Sequence, residues 1–125
     1  MSFTNLGEQL VAQAACGIGS AWLNTPFVSL HTADPGESGS TAAEATGGGY
    51  ARQSATFTWG GSNASNSAQI LFSSLSAATY SHFGIHSAVS GSGNMIAKGA
   101  LTTPKTVDAG DDIKIPIGNL TVTVD

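Results

Sequence analysis

From Phe27 onward the apolar residues recur at every second position, in short runs broken by glycine, proline and aspartate. A period of two is that of a strand with one face turned to a core. Phe27–Thr32 is the first such run. Asp34-Pro35-Gly36 then makes a strong turn, because proline fixes φ and an aspartate side chain can bond the following backbone. Ala51, Gln53, Ala55, Phe57 and Trp59 alternate with Tyr50, Arg52, Ser54, Thr56 and Thr58. This predicts one strand with the first set inward. Gly60–Asn66 reads as a turn, and Ala68, Ile70 and Phe72 as the next strand. Tyr80–Ser87 follows, with Phe83 and Ile85 inward and His82, Gly84 and His86 on the other face. Met95–Leu101, Lys105–Val107, the Ile113, Ile115 and Ile117 set, and Leu120, Val122 and Val124 complete the series. Several short strands with Gly-rich turns predict an all-β, mainly antiparallel fold, a β-sandwich of jelly-roll-like form.

The N-terminal region has a different period. Leu6, Leu10, Val11, Ala14 and Ala15 share a helical face, which predicts one short helix over 5–16. Asn5 and Glu8 have capping-box spacing, Gly17 and Gly19 supply the stop, and Pro26 bars further helix. Cys16 is the chain's one cysteine, which excludes an internal disulfide; a small buried thiol is the expected state. Residues 33–49 read as a flexible loop, since 36–49 contain only Gly, Ser, Ala, Thr and Glu. Loops of that length without apolar anchors are uncommon in compact folds and are often functional. A chain of 125 residues fits a single domain spanning 1–125.

Charge narrows the function. The net charge is −4, and Arg52, Lys98, Lys105 and Lys114 are the only strongly basic side chains. They are scattered, whereas nucleic-acid binding needs a clustered basic footprint, so no nucleic-acid partner is expected. No apolar run is long enough to span a membrane. No secretory signal is visible, so synthesis in a bacterial cytoplasm is expected. Charged residues make up 10% of the chain, against roughly 25% in an average soluble protein. A surface of Ser, Thr, Asn and Gly costs less to desolvate than one of Lys and Glu. It suits a subunit that buries its exterior against neighbours.

Few residues invite chemistry. His82 and His86 on one strand face would lie about 13 Å apart, too far to share a metal ion. His31 is a possible third partner, with nothing in the sequence to place it nearby. A trimer axis gathering one histidine per subunit is the form of metal site to look for. Asp108, Asp111 and Asp112 read as a solvated turn without an EF-hand pattern. Gly47–Gly49 lacks a phosphate-loop ending. Ser38 and Ser92 lack a nucleophile-elbow context. No catalytic, cofactor or metal residue is therefore assigned. Trp59 continues the register of Phe57 and is expected in the core. Trp22 is expected as an intersubunit anchor. Tyr50 and Arg52 share a strand face leading out of the loop. With Asp34, Pro35, His82 and His86 they complete the interface candidates.

The stretches Leu30-His31-Thr32-Ala33-Asp34-Pro35-Gly36, Gly47-Gly48-Gly49-Tyr50-Ala51-Arg52-Gln53, His82-Phe83-Gly84-Ile85, Gly99-Ala100-Leu101-Thr102-Thr103 and Leu120-Thr121-Val122-Thr123 cover nearly the whole chain. Together they resemble small tailed-bacteriophage structural proteins of the tail-fibre or minor virion type. The resemblance implies a non-enzymatic virion component. The compact size and low charge favour an exterior capsid decoration protein acting as a homotrimer, with the major capsid protein as partner. A local three-fold axis on a shell makes closed trimers natural. The alternative is a tail-fibre or baseplate-associated adhesion module that joins other tail proteins and binds host surface or glycans. A small metal-dependent hydrolase is the remote third reading.

Overall fold

The computed structural model describes residues 2–17 and 25–123. Its elements in chain order are β1 (Ser2–Phe3), α1 (Asn5–Ala15), β2 (Phe27–His31), β3 (Gln53–Ser54), β4 (Phe57–Trp59), β5 (Asn63–Asn66), β6 (Ile70–Phe72), β7 (Ala78–His86), β8 (Met95–Val107), β9 (Ile113–Ile115) and β10 (Thr121–Thr123). Every strand pairing is antiparallel. The strands form a five-stranded sheet in the order β1-β8-β7-β2-β3, a three-stranded sheet β10-β5-β4 and a two-stranded sheet β6-β9. The result is the expected all-β sandwich with one helix. Jelly-roll connectivity is a finer expectation, which sheets of five, three and two strands do not define.

The large sheet carries the core on one face. Val28, Ile85 and Ala97 lie in one cross-strand row, and Leu30 and Phe83 in another. Tyr80 of β7 joins them, and Ile70, Phe72, Leu75, Ile113, Ile115 and Leu120 pack against them from the smaller sheets and their connections. The opposite face is also covered. There residues 34–39 lie over the sheet, where Asp34 pairs with Lys98 at 3.0 Å and Gly39 sits against Met95, while 43–45 run antiparallel along the edge of β2, with Ala45 N–H donating to the Leu30 carbonyl at 2.8 Å. The segment expected to lack apolar anchors is thus pinned by buried Pro35 and Ala45. A polar cover made largely of backbone groups selects polar residues on the strand face beneath it.

The helix starts at Asn5 as expected, but its cap lies one residue earlier. Thr4, not Asn5, is the N-cap, its hydroxyl accepting from Gly7 N–H at 3.2 Å. Only Gly7 of the helix is buried, because its backbone lies directly on the Ile96 carbonyl; an added Cβ would sit 2.0 Å from that oxygen. Cys16 is exposed rather than buried, being at the C-cap, where the chain leaves the sheet surface. Gly17 ends the helix at φ 68°.

Three further expectations change. The strand expected over 50–59 divides, with Gln53–Ser54 pairing β2 and Phe57–Trp59 pairing β5. The chain changes sheet at Ala55 and Thr56, so the alternation outlives the strand. Trp59 is consequently 66% exposed, not core, as is Ile117. Asn63–Asn66 is a strand rather than a turn. Buried Asn66 braces it, donating to the Ala68 and Pro116 carbonyls and accepting from Leu120 N–H. Finally, Met95–Val107 runs as one strand. Its register against β7 jumps between Ala100 and Lys105 opposite Tyr80–His82, a bulge that contains Pro104, the residue without a donor for the ladder.

Candidate functional site

The covered polar face of β2 and β7 holds the chain's densest chemistry. Ser29, His31 and His86 are all fully buried. Ser29 Oγ lies 2.7 Å from His31 Nε2 and 2.8 Å from His86 Nε2. The two imidazoles stack with centroids 6.3 Å apart and planes 8° from parallel. Gly84 makes the space: a Cβ there would meet Ser29 Oγ at 2.7 Å. From His86 the network continues outward, as Nδ1 lies 2.8 Å from Asn94 Oδ1. Arg52 Nη1 donates to the same oxygen at 3.0 Å. Arg52 also donates from Nε and Nη2 to both oxygens of Glu44, each at 2.8 Å, and to the carbonyls of Ala88 and Gly91. Tyr50 Oη donates to Glu44 at 2.7 Å and accepts from Leu30 N–H at 3.3 Å.

This connectivity fixes the proton positions. A guanidinium only donates, so Arg52 sets the oxygen of the Asn94 amide toward itself and His86. That oxygen only accepts, so neutral His86 carries its proton on Nδ1 and offers a lone pair at Nε2. Ser29 must then donate to His86 and accept from His31 Nε2–H. His31 Nδ1 is left as a lone pair, buried and without a hydrogen-bond partner.

The environment shifts the acid–base behaviour accordingly. Burial pushes His31 down to about 4; Glu44 opposes that shift, while His86, Arg52 and His82 add to it. His86 is also lowered, first by burial. Burial alone would raise the Glu44 carboxyl, but hydrogen bonds from Arg52 and Tyr50 hold it below its ordinary range. The Tyr50 phenol is raised by burial and by its bond to that carboxylate.

Ser29 and His86 have the separation of a nucleophile and its base. Neither is open to solvent, and no carboxylate orients the imidazole; an amide does. A hollow of about 440 Å³ adjoins Glu44, Tyr50 and Arg52. However, the one guanidinium that lines it, that of Arg52, is already committed to five hydrogen bonds. The arrangement therefore ties segments together: Arg52 bolts the 87–94 connection to segment 43–52, and the His86–Asn94 and Leu30–Tyr50 bonds join them to the sheet. Among the described residues, no group of three His, Cys, Asp or Glu side chains is placed to hold a metal ion.

The interface candidates separate into two groups. Tyr50, Arg52 and His86 belong to the buried network, correcting the outward face read from alternation. Arg52 is only 6% exposed, and Tyr50 stacks on Phe72 at 6.1 Å. His31, which nothing in the sequence placed near His86, is its stacking partner. His82 pairs with His31 across the strands, is half-buried, and contacts Ser81 through Nδ1 at 2.8 Å. Asp34 is exposed and accepts from Gly36 N–H at 2.9 Å. The Gly36 bond and Lys98 hold its carboxyl below the usual range. Pro35 is buried. Trp22 lies outside the described residues. Ser29, Glu44 and Asn94 were missed. The available signal was that Arg52 is the chain's only arginine and Glu44 the one charge in a long neutral stretch.

Within this β-sandwich the buried side chains of the cluster satisfy one another except at His31 Nδ1. A family model described as Podophage GP4 fiber I protein gp80 matches residues 2–123, and the chain belongs to that family of tailed-phage structural proteins. No curated protein matches the chain. No helix among the described residues is long and apolar enough to cross a membrane.

Proposed function

We propose that the protein is a non-enzymatic component of the tail fibre of a tailed phage, joined to other tail proteins and acting as a homotrimer. The observation that carries this reading is the fibre-family match over nearly the whole chain. It favours the tail over capsid decoration, which compact size and low charge suggested. The exposed Trp59 and Ile117 are the side chains best suited to contacts with neighbours, because large apolar groups gain most from burial. Asp34 and His82 remain contact candidates of lesser area. The test is antibody-label electron microscopy of purified virions, with copy number measured against the major capsid protein. Label on the tail at far fewer copies than the shell protein is expected. Label over the shell at comparable copy number would return the protein to capsid decoration.

A further inference from the structure

We propose that the Ser29–His31–His86 cluster is an acid-sensitive latch, which holds segments 43–52 and 87–94 to the β2–β7 sheet and releases them when a proton enters. The argument is one of capacity. In the closed form three protons are shared among three bonds: His31 Nε2–H to Ser29, Ser29 Oγ–H to His86, and His86 Nδ1–H to Asn94. A fourth proton has two possible sites. At His31 Nδ1 it becomes a buried donor with no acceptor within reach. At His86 Nε2 it displaces the Ser29 proton, which then has nowhere to go. An unpaired buried donor and an unpaired buried charge are both strongly unfavourable.

The charges around the cluster do not relieve this. His82 faces His31 from β7, and Arg52 faces both imidazoles from the segment after the loop. Glu44 is the one carboxylate facing them, and it is already held by Arg52 and Tyr50. A protonated His86 would share the single Asn94 oxygen with the Arg52 cation. That oxygen is the joint between sheet and outer segments, so repulsion there acts where the latch is fastened.

The sign follows from proton linkage. Both histidines are neutral in the closed form and regain their ordinary affinity when exposed. The open form therefore binds more protons, and closure weakens as pH falls from 6.5 toward about 4 for His31. Glu44 acts elsewhere: its carboxylate is held below its ordinary 4.5, so its contribution is lost only below that value.

The test is a pH series on the ¹⁵N-labelled full chain, recording histidine ring nitrogens and amide exchange between about pH 8 and about pH 4.5. The expected result is His31 in the Nε2–H form and His86 in the Nδ1–H form, neither ionising while the fold stays closed. The opening equilibrium at 43–52 and 87–94, corrected for intrinsic exchange, should rise about tenfold per pH unit for each proton taken up. In His31→Phe that slope should fall by about tenfold per pH unit. Ionisation of either ring near 6.5 with both segments still closed would overturn the latch. So would an unchanged slope in His31→Phe.

Discussion

Arg52 shows how much a single side chain can hold. Its guanidinium joins a carboxylate, an amide and two carbonyls from segments distant in sequence. Removing one partner of a buried ion pair leaves the other charge without compensation and costs about 3–5 kcal/mol. Arg52→Ala should lose stability on that scale in chemical denaturation. Arg52→Lys should recover only part of it, since an ammonium cannot reproduce a planar fork. A loss below about 0.5 kcal/mol, typical of a surface site, would contradict the buried assignment. Gly84 makes the complementary point. A methyl group there would sit 2.7 Å from Ser29 Oγ and 2.8 Å from Met95 Cε. Gly84→Ala should cost about 1–3 kcal/mol through overpacking, and histidine ring resonances should shift with it.

At the scale of elements, local propensity and packing can point in opposite directions. Gly7 lies inside a helix, where alanine is ordinarily favoured by about 1 kcal/mol. The Ile96 carbonyl occupies the space a Cβ needs. Gly7→Ala should therefore destabilise the protein despite raising helix propensity. Thermal melting that rose instead would show that α1 can lift from β8. The same conflict explains what could be read from the sequence. Periodicity placed the helix, β2, β6 and β9 well, because each keeps one phase; in β7 the core face passes from Tyr80 to Phe83 and Ile85 across a register shift. It misplaced Trp59, since alternation continues unbroken through Ala55 and Thr56 while the chain changes sheets. It also put His86 and Arg52 outside. Alternation distinguishes the two faces of a strand, but a polar face can be sealed by a polar strap as readily as wetted by solvent. The partnership of His31 with His86 depends on pairing between strands far apart in sequence, and no local signal carries it.

The whole molecule divides its polar and apolar groups unusually. Ser29, His31 and His86 are buried in the polar cluster of β2 and β7, while Trp59 and Ile117 stand outside. Trp59→Ser should leave unfolding stability within about 0.5 kcal/mol of the parent and reduce incorporation into virions. Normal incorporation would take that face out of the assembly. The N-terminal elements carry a different consequence. Ser2 and Phe3 pair with Lys98 and Ala97, and Thr4 hydrogen-bonds the carbonyls of Met95 and Ile96. During synthesis at about 5–20 residues per second, the first strand and helix must wait several seconds for the strand that receives them. A ribosome-released fragment ending before β8 has no seat for its own beginning. Only a chain read through β8 can seat β1 and α1 and close this side of the sheet.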